Sequence, residues 1–367
     1  MQNVTPSAPG QPRDPLPPAL REQVDLVLDV TGIQIRADGD SVTFTGRLRD
    51  SAESAFESLQ PGLNALGYVP LIRAGERPEE SVIVAVRGRL EEAVPERNWI
   101  NLGLFVLTLA TMTLGGGGTL ARMLVSDTPT ALDVLANGLP FALALMAILA
   151  AHELGHFLQA RRHGLPATLP FFIPLPFGLG TLGAFVQMRG AVVNKRALFD
   201  VAVGGPLAGL LVAIPLFVLA VPQTALAGEP LASARSLLVE LLIGLFRPEA
   251  SGLGMAVTPL LFAARIGLAL TAMNLLPLGQ LDGGHIVYAA LGARGARTIS
   301  ILTIGVLIVI ALFTRSTLWL IWMAFALISG AHRPTPLDDV TPLDLRRNIA
   351  FLATTALFLS LFTLKPF

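Results

Sequence analysis

The run A-H-E-L-G-H, carrying His152, Glu153 and His156, concentrates the chemistry of this chain. Two histidines four residues apart share one face of a helix, about one turn from each other. Both can aim a ring nitrogen at a single Zn2+. Glu153 lies beside the first, placed to take a proton from a water activated at the metal. The bland alternative is a pair of histidines satisfied by neighbouring carbonyls. The setting weighs against it, because the motif ends the uncharged stretch 134–151. A charged residue at a bilayer centre costs at least ~2.5–3.5 kcal/mol on insertion scales, so this cluster calls for a compensating ligand.

A catalytic zinc takes three protein ligands and leaves one position for water. The chain has no cysteine, which excludes disulfides and thiolate metal sites, and its five histidines stand at 152, 156, 163, 285 and 332. The third ligand is therefore sought among the few acids of the apolar region. Asp282, in M-N-L-L-P-L-G-Q-L-D-G-G-H, follows an uncharged stretch that starts at Ile266. Pro277 breaks the helix and the pair Gly283–Gly284 frees the backbone beyond it, so the carboxylate can turn inward. The competitor is Asp200, which a helix N-cap role explains well. Asp282 is favoured.

The elements that must hold these groups are membrane helices. Apolar types make up 53% of the 367 residues and charged types 14%, against about 25% charged in ordinary soluble domains. Mean hydropathy is +0.64. The net charge is zero, so nothing points to nucleic acid as a partner. A spanning helix needs ~20 mostly apolar residues. Seven stretches qualify: 98–121, 134–151, 201–228, 266–281, 298–314, 316–331 and 348–364. Residues 231–246 could form an interfacial or half-spanning helix and leave the count open by one. Arg161, Arg162, Arg189, Lys195, Arg196, Arg294, Arg297, Arg333, Arg346 and Arg347 fall on one side. Arg122, Arg235, Arg247, Arg315 and Lys365 fall on the other. The richer side is expected to be cytoplasmic, or stromal in a plastid.

Three regions follow from this distribution. Residues 1–19 are Pro-rich with no apolar core of a signal peptide, and read as a disordered lead-in. Residues 20–97 read as a small soluble α/β domain, with helical spacing over 20–30 and 51–66 and strands over 41–48 and 81–87. Residues 98–367 form the membrane-embedded part. Within it, 165–190 holds four prolines followed by Gly178, Gly180 and Gly183. Such a run cannot span as a regular helix, and non-helical backbone at membrane depth must be buried or line a cavity. A re-entrant loop or β-hairpin is expected, with Gly180, Thr181, Gly183, Ala184 and Phe185 offering a strand edge to an extended substrate. The plain alternative is an interfacial loop without substrate contact. Arg265 is expected to snorkel to the outer interface or to pair with Glu240, with the polar face of the cavity at the metal site as the weaker alternative. His285 reads as a neighbour of the site or an interfacial residue, and His163 and His332 carry no assigned role.

HELGH followed by N-x-x-P-x-x-x-L-D-G on a later membrane helix resembles the site-2 protease family of intramembrane zinc metalloproteases. F-G-L-G-T-L-G-A-F at 177–185, the run N-K-R-A-L-F-D-V-A-V-G-G-P-L-A-G at 194–209 and G-Q-L-D-G-G-H-I-V-Y-A at 279–289 strengthen the likeness. They are most similar to bacterial and plastid members with a soluble N-terminal domain. The resemblance covers about 95–365 and implies a polytopic α-helical fold with a Zn2+ site of His152, His156 and Asp282. It also implies Glu153 as general base and Asn274 as a group positioning the substrate peptide or its developing oxyanion. The loops at 161–198, 223–254 and 282–297 are too short for the PDZ domain that many members carry. Expected partners are the lipid bilayer and single-span membrane proteins cut within their spans, with further protein contacts through the N-terminal domain. The expected setting is a bacterial inner membrane, or a plastid membrane as the alternative, with the site open to the positive side. Rival readings are a metal transporter, another membrane-embedded zincin and a catalytically silent scaffold. A transporter would string its polar groups along a path, whereas here they gather at one point.

Overall fold

The computed structural model of the chain describes residues 16–36, 40–77, 79–88, 98–227, 235–315, 319 and 335–363. The expectations for residues 1–15, for the span 316–331 and for His332 fall outside these.

Near the N-terminus, α1 (Pro18–Asp25), β1 (Leu28–Ile35), β2 (Ser41–Leu48), α2 (Ala52–Ala65), β3 (Tyr68–Ala74) and β4 (Ser81–Arg87) build a small α/β unit. Its sheet is antiparallel in the order β1-β2-β4-β3. Alternating residues of β2 and β4 turn Phe44, Ile83 and Ala85 inward against Leu20, Leu59 and Leu63 of the two helices, as period-two strands require. Ser51 caps α2 by accepting from the Ser54 amide at 3.2 Å. Two strands depart from the sequence expectation. The helical spacing read over 20–30 ends at Asp25, and β1 follows with a bulge between Val30 and Gly32. That bulge breaks the alternation by which a strand is recognised. β3 carries Pro70 and is buried along most of its length, so it shows no alternation either.

The membrane part begins with α3 (Asn98–Thr111), which runs through a π turn (Met112–Gly116) into α4 (Gly117–Leu124). α5 (Ala131–Arg162) opens with a capping box: the Thr130 hydroxyl accepts from the Asp133 amide at 3.2 Å, and the Thr130 amide donates to Asp133 Oδ2 at 2.9 Å. At 1.5 Å per residue its 32 residues run about 48 Å. The HExxH run therefore lies inside this helix and not at its end, because Leu154, Phe157 and Leu158 carry the apolar pattern onward to the arginines. α6 (Lys195–Ala220) starts six residues earlier than its uncharged stretch suggests. Beyond it come β7 (Leu226–Ala227), α7 (Leu237–Phe246), β8 (Gly254–Met255) and α8 (Pro259–Asn274). α9 (Asp282–Thr314) is broken at Gly292, whose φ of 69° lies outside the helical region, and α10 (Leu345–Leu361) closes the described chain.

Among the described residues four helical stretches, Asn98–Leu124, Ala131–Arg162, Lys195–Gln223 and Asp282–Thr314, are long and apolar enough to cross a membrane. The chain is a membrane protein. The single span expected over 266–281 is divided, with α8 ending at Asn274 and a turn over 275–281 before α9. Pro277 lacks the amide hydrogen a helix needs there, and its ring crowds the preceding turn.

Small residues let these helices approach closely, the usual basis of packing in lipid. At the contact of α5 with the α3–α4 unit, a methyl on Gly138 would lie 2.0 Å from the Thr113 carbonyl oxygen and 2.8 Å from Gly117 Cα. Gly138→Ala is accordingly expected to cost about 1–3 kcal/mol by overpacking. Thermal unfolding in detergent should show a lowered midpoint, and an unchanged midpoint would show that the two helices separate freely.

Candidate metal centre

His152 and His156 project from one face of α5, His152 buried and the His156 side chain 11% exposed. Their Nε2 atoms are 3.1 Å apart, with the rings at an interplanar angle of 73°. Asp282, the first residue of α9, brings Oδ2 to 3.3 Å from His152 Nε2 and 3.4 Å from His156 Nε2. Three ligand atoms at 2.0–2.1 Å from a tetrahedral ion lie roughly 3.3–3.4 Å from one another, so the spacing and the donor types fit zinc. Asp200, the competing carboxylate, is engaged elsewhere. It takes Arg347 Nη2 and Nε at 2.6 and 2.8 Å and His163 Nε2 at 2.8 Å. The N-cap expected of Asp200 is supplied by Asn194, which accepts from the Ala197 amide at 2.9 Å, because α6 begins a turn and a half before Asp200.

Two of the three ligands, His156 and Asp282, are held by identifiable features. His156 Nδ1 lies 2.8 Å from the Val201 carbonyl oxygen. A carbonyl can only accept, so Nδ1 carries the hydrogen and the Nε2 lone pair faces the other donors. Asn274, the last residue of α8, sets its side-chain nitrogen 3.3 Å from His152 Nε2. Asp282 sits at a helix N-terminus, where the macrodipole favours a carboxylate. The glycines after it are obligatory: methyls there would lie 2.0 Å from the Leu275 carbonyl oxygen and 2.5 Å from that of Gly279. The turn over 275–281 folds back onto the first turn of α9, which carries the carboxylate inward.

α6 presents a glycine face to the imidazoles. A methyl on Gly205 would stand 2.1 Å from His156 Nε2, and one on Gly209 would meet His152 Cβ at 3.3 Å. Gly155 of α5 is pressed against the Gly204 carbonyl oxygen in the same crossing. Val201, Gly205 and Gly209 were given no role by spacing alone. Their signal was the run 194–209, which has no chemistry until its crossing partner is known.

Residues 165–190 form a hairpin. β5 (Phe171–Pro174) pairs antiparallel with β6 (Thr181–Phe185), matching Phe171 with Phe185, Phe172 with Ala184 and Ile173 with Gly183. β6 packs against α5, and directly after it the Val186 amide reaches the buried Glu153 carboxylate. The five edge residues are placed differently. Gly180, at φ 84°, is wedged against Met112, and its carbonyl accepts from Thr111 Oγ1 at 2.7 Å. The Thr181 hydroxyl donates to the Ile173 carbonyl at 2.9 Å within the hairpin. Gly183, at φ 104°, has open space where a side chain would be. Ala184 is half-buried, and Phe185 is exposed while stacking on Phe171 at 5.5 Å. Glu240 pairs with Arg235 at 3.1 Å, and Arg265 lines a small cavity with Arg235, Phe217 and Met255. His285 is half-buried one turn past Asp282.

Residues 140–314 match the model of peptidase family M50. That segment is similar to peptidase family M50. It is similar to "Probable zinc metalloprotease EGY2, chloroplastic" of Arabidopsis thaliana, with 31% identity over 89% of this chain and 60% of the relative. "Probable zinc metalloprotease EGY1, chloroplastic" of Oryza sativa subsp. japonica shows 31% identity over 89% of this chain and 63% of the relative. "Probable zinc metalloprotease EGY2, chloroplastic" of Oryza sativa subsp. indica shows 32% over 82% and 57%. The chain thus spans about three fifths of the length of these relatives. No solved structure matches it.

The Gly205 contact gives a direct test. Gly205→Ala should weaken zinc binding about 10–100-fold, the usual effect of disturbing the shell around a metal ligand. Gly118→Ala, where a methyl meets nothing within 4 Å, should leave zinc affinity unchanged. Competition with a chromogenic chelator measures both.

Proposed function

We propose that this chain is an intramembrane zinc endopeptidase that hydrolyses peptide bonds within transmembrane segments of membrane-bound substrates. One observation carries the reading. Two imidazoles and a carboxylate converge to within 3.4 Å beside a buried glutamate, inside an apolar helix bundle.

His152, His156 and Asp282 would hold the metal, leaving a coordination position for water or substrate. Zinc, when bound, supplies a Lewis acid that polarises the scissile carbonyl and makes water a competent nucleophile near neutral pH. Glu153 accepts the proton of the attacking water and returns it to the leaving amine, a role typically worth ~10²–10⁴-fold. The Val186 amide orients that carboxylate from the hairpin side. Asn274 offers its amide hydrogens next to His152, where they can steady a substrate carbonyl or the charge that develops on it. A transmembrane helix hides its peptide bonds in its own hydrogen bonds, so the substrate must unwind. The β6 edge around Gly183–Phe185 can then supply replacement hydrogen bonds to the extended segment.

The substrates on this reading are single-span membrane proteins, with the N-terminal α/β unit as a further surface for contacting them. We retain seven spans, with α8, α10 and residues 316–331 joining the four long stretches. The side rich in Lys and Arg, where the N-terminal unit docks through Glu53 and Arg196 at 2.8 Å, is assigned as cytoplasmic or stromal, with the site opening there. The relatives are named chloroplastic, which favours a plastid membrane and lends nothing to a bacterial inner membrane.

The test is cleavage of a single-span substrate in liposomes, with bound zinc measured in parallel. Glu153→Gln should keep zinc and lose at least about 100-fold in rate. Asp282→Ala should lose zinc and activity together. Retained zinc and activity in Asp282→Ala would remove that residue from the site.

A further inference from the structure

Residues 335–341 connect the membrane helices to the N-terminal sheet and touch both. Leu337 is buried in the core of the sheet unit. The Ile72 amide donates to the Leu337 carbonyl at 2.8 Å, and the Asp339 amide donates to the Ile72 carbonyl at 3.0 Å. On the opposite side the amides of Leu337 and Asp338 donate to the carbonyls of Val192 and Val193, both at 2.8 Å, just before α6. The segment thus lies as a short strand between the β3 edge and the entry to α6. Arg73 fastens it by donating to the Pro336 and Leu337 carbonyls at 2.8 and 3.0 Å.

Asp338 turns back to cap its own turn, accepting from the amides of Val340 and Thr341 at 2.9 and 3.1 Å. Asp339 faces the membrane helices instead. Its Oδ2 accepts from the Tyr288 hydroxyl at 3.0 Å, and its Oδ1 lies 3.5 Å from Lys195 Nζ. The Lys195 and Asp339 side chains are only 14% and 18% exposed. Among the described residues, no donor completes a hydrogen bond to Oδ1. A buried carboxylate oxygen without one costs stability, so Asp339 is poorly explained as a stabilising group.

Its two partners have matching positions. Lys195 opens α6 and precedes Val201, the carbonyl that holds His156, by six residues. Tyr288 lies in α9 and follows Asp282 by the same number. Six residues of helix are about 9 Å along a stiff axis, so a shift at either partner is delivered to one ligand of the triad. We propose that Asp339 is a positioning residue for the metal centre: it ties α6 to α9 through Lys195 and Tyr288, and ties both to the N-terminal sheet through its own amide. This rests on the protease reading for its kinetic consequence and on the metal site alone for its binding consequence.

The experiment uses the full chain in detergent, with zinc affinity from chelator competition and kcat and KM on a single-span substrate. The variants are Asp339→Asn, Tyr288→Phe, their double and Leu337→Ala, with the surface change Arg49→Gln as control. Asp339→Asn and Tyr288→Phe keep size and shape, so folding is preserved. Each is expected to weaken zinc binding and lower kcat by roughly 2- to 30-fold, the range for coupling transmitted through a structure, with KM unchanged. The double should be no worse than the stronger single, since both break one link. Leu337→Ala should act in the same direction. Wild-type zinc affinity in Asp339→Asn overturns the proposal, as does an effect confined to KM or full additivity in the double. A wild-type chain that binds zinc but cuts nothing sinks the protease reading, while the affinity measurements still decide the positioning role.

Discussion

Two imidazoles, a carboxylate and a glutamate lie together in the interior of an apolar bundle, and the free-energy cost of placing them there constrains the rest of the molecule. Each group must find a partner, because charged and polar side chains in a membrane interior are tolerated only when satisfied. α6 meets this demand with a backbone carbonyl for His156 and a face of glycines that admits the rings. The chain between α8 and α9 meets it by breaking, so that Asp282 arrives at a helix N-terminus and not on the side of a continuous span. The hairpin meets it with the Val186 amide at Glu153.

How much of this could be read in the sequence depends on the distance over which each feature is defined. The spacing of His152 and His156 is a property of one helix turn, so it is visible locally. Asp282 was found because Pro277 and the two glycines mark a break. The prolines and glycines of 165–190 announced non-helical backbone, and a hairpin is what forms there. The Val201 carbonyl was invisible, since every residue has one and only the crossing of α5 with α6 selects it. The same holds for Gly205, whose missing side chain matters only opposite His156. Asp200 was misread as a cap because the uncharged stretch starts after it, whereas α6 begins at Lys195 and its next residue, Arg196, pairs with Glu53 of the N-terminal unit. β1 and β3 escaped because a bulge at Gly32 and a proline at position 70 erase the alternation of a half-buried strand.

The family match covers 140–314, yet the contacts that fix the outer ends of α6 and α9 come from outside it. Glu53, Ile72 and Arg73 belong to the sheet unit, and residues 335–341 come from the far end of the chain. The N-terminal unit is therefore built into the same scaffold as the metal centre, through one shared stretch of extended backbone. A change in how the sheet is held has a short mechanical route to the metal ligands.

The junction of β6 with Val186 has a metric consequence. A peptide laid along Thr181–Phe185 advances about 3.4 Å per residue, and a slip of one residue reverses which side chains face each way. Because the amide of the next residue, Val186, is fixed at Glu153, the strand would act as a ruler whose zero mark is the general base. On the proposed protease reading, cleavage would fall at a set distance from whichever side chain the open space at Gly183 accepts, so that sequence preference and cut position become one measurement.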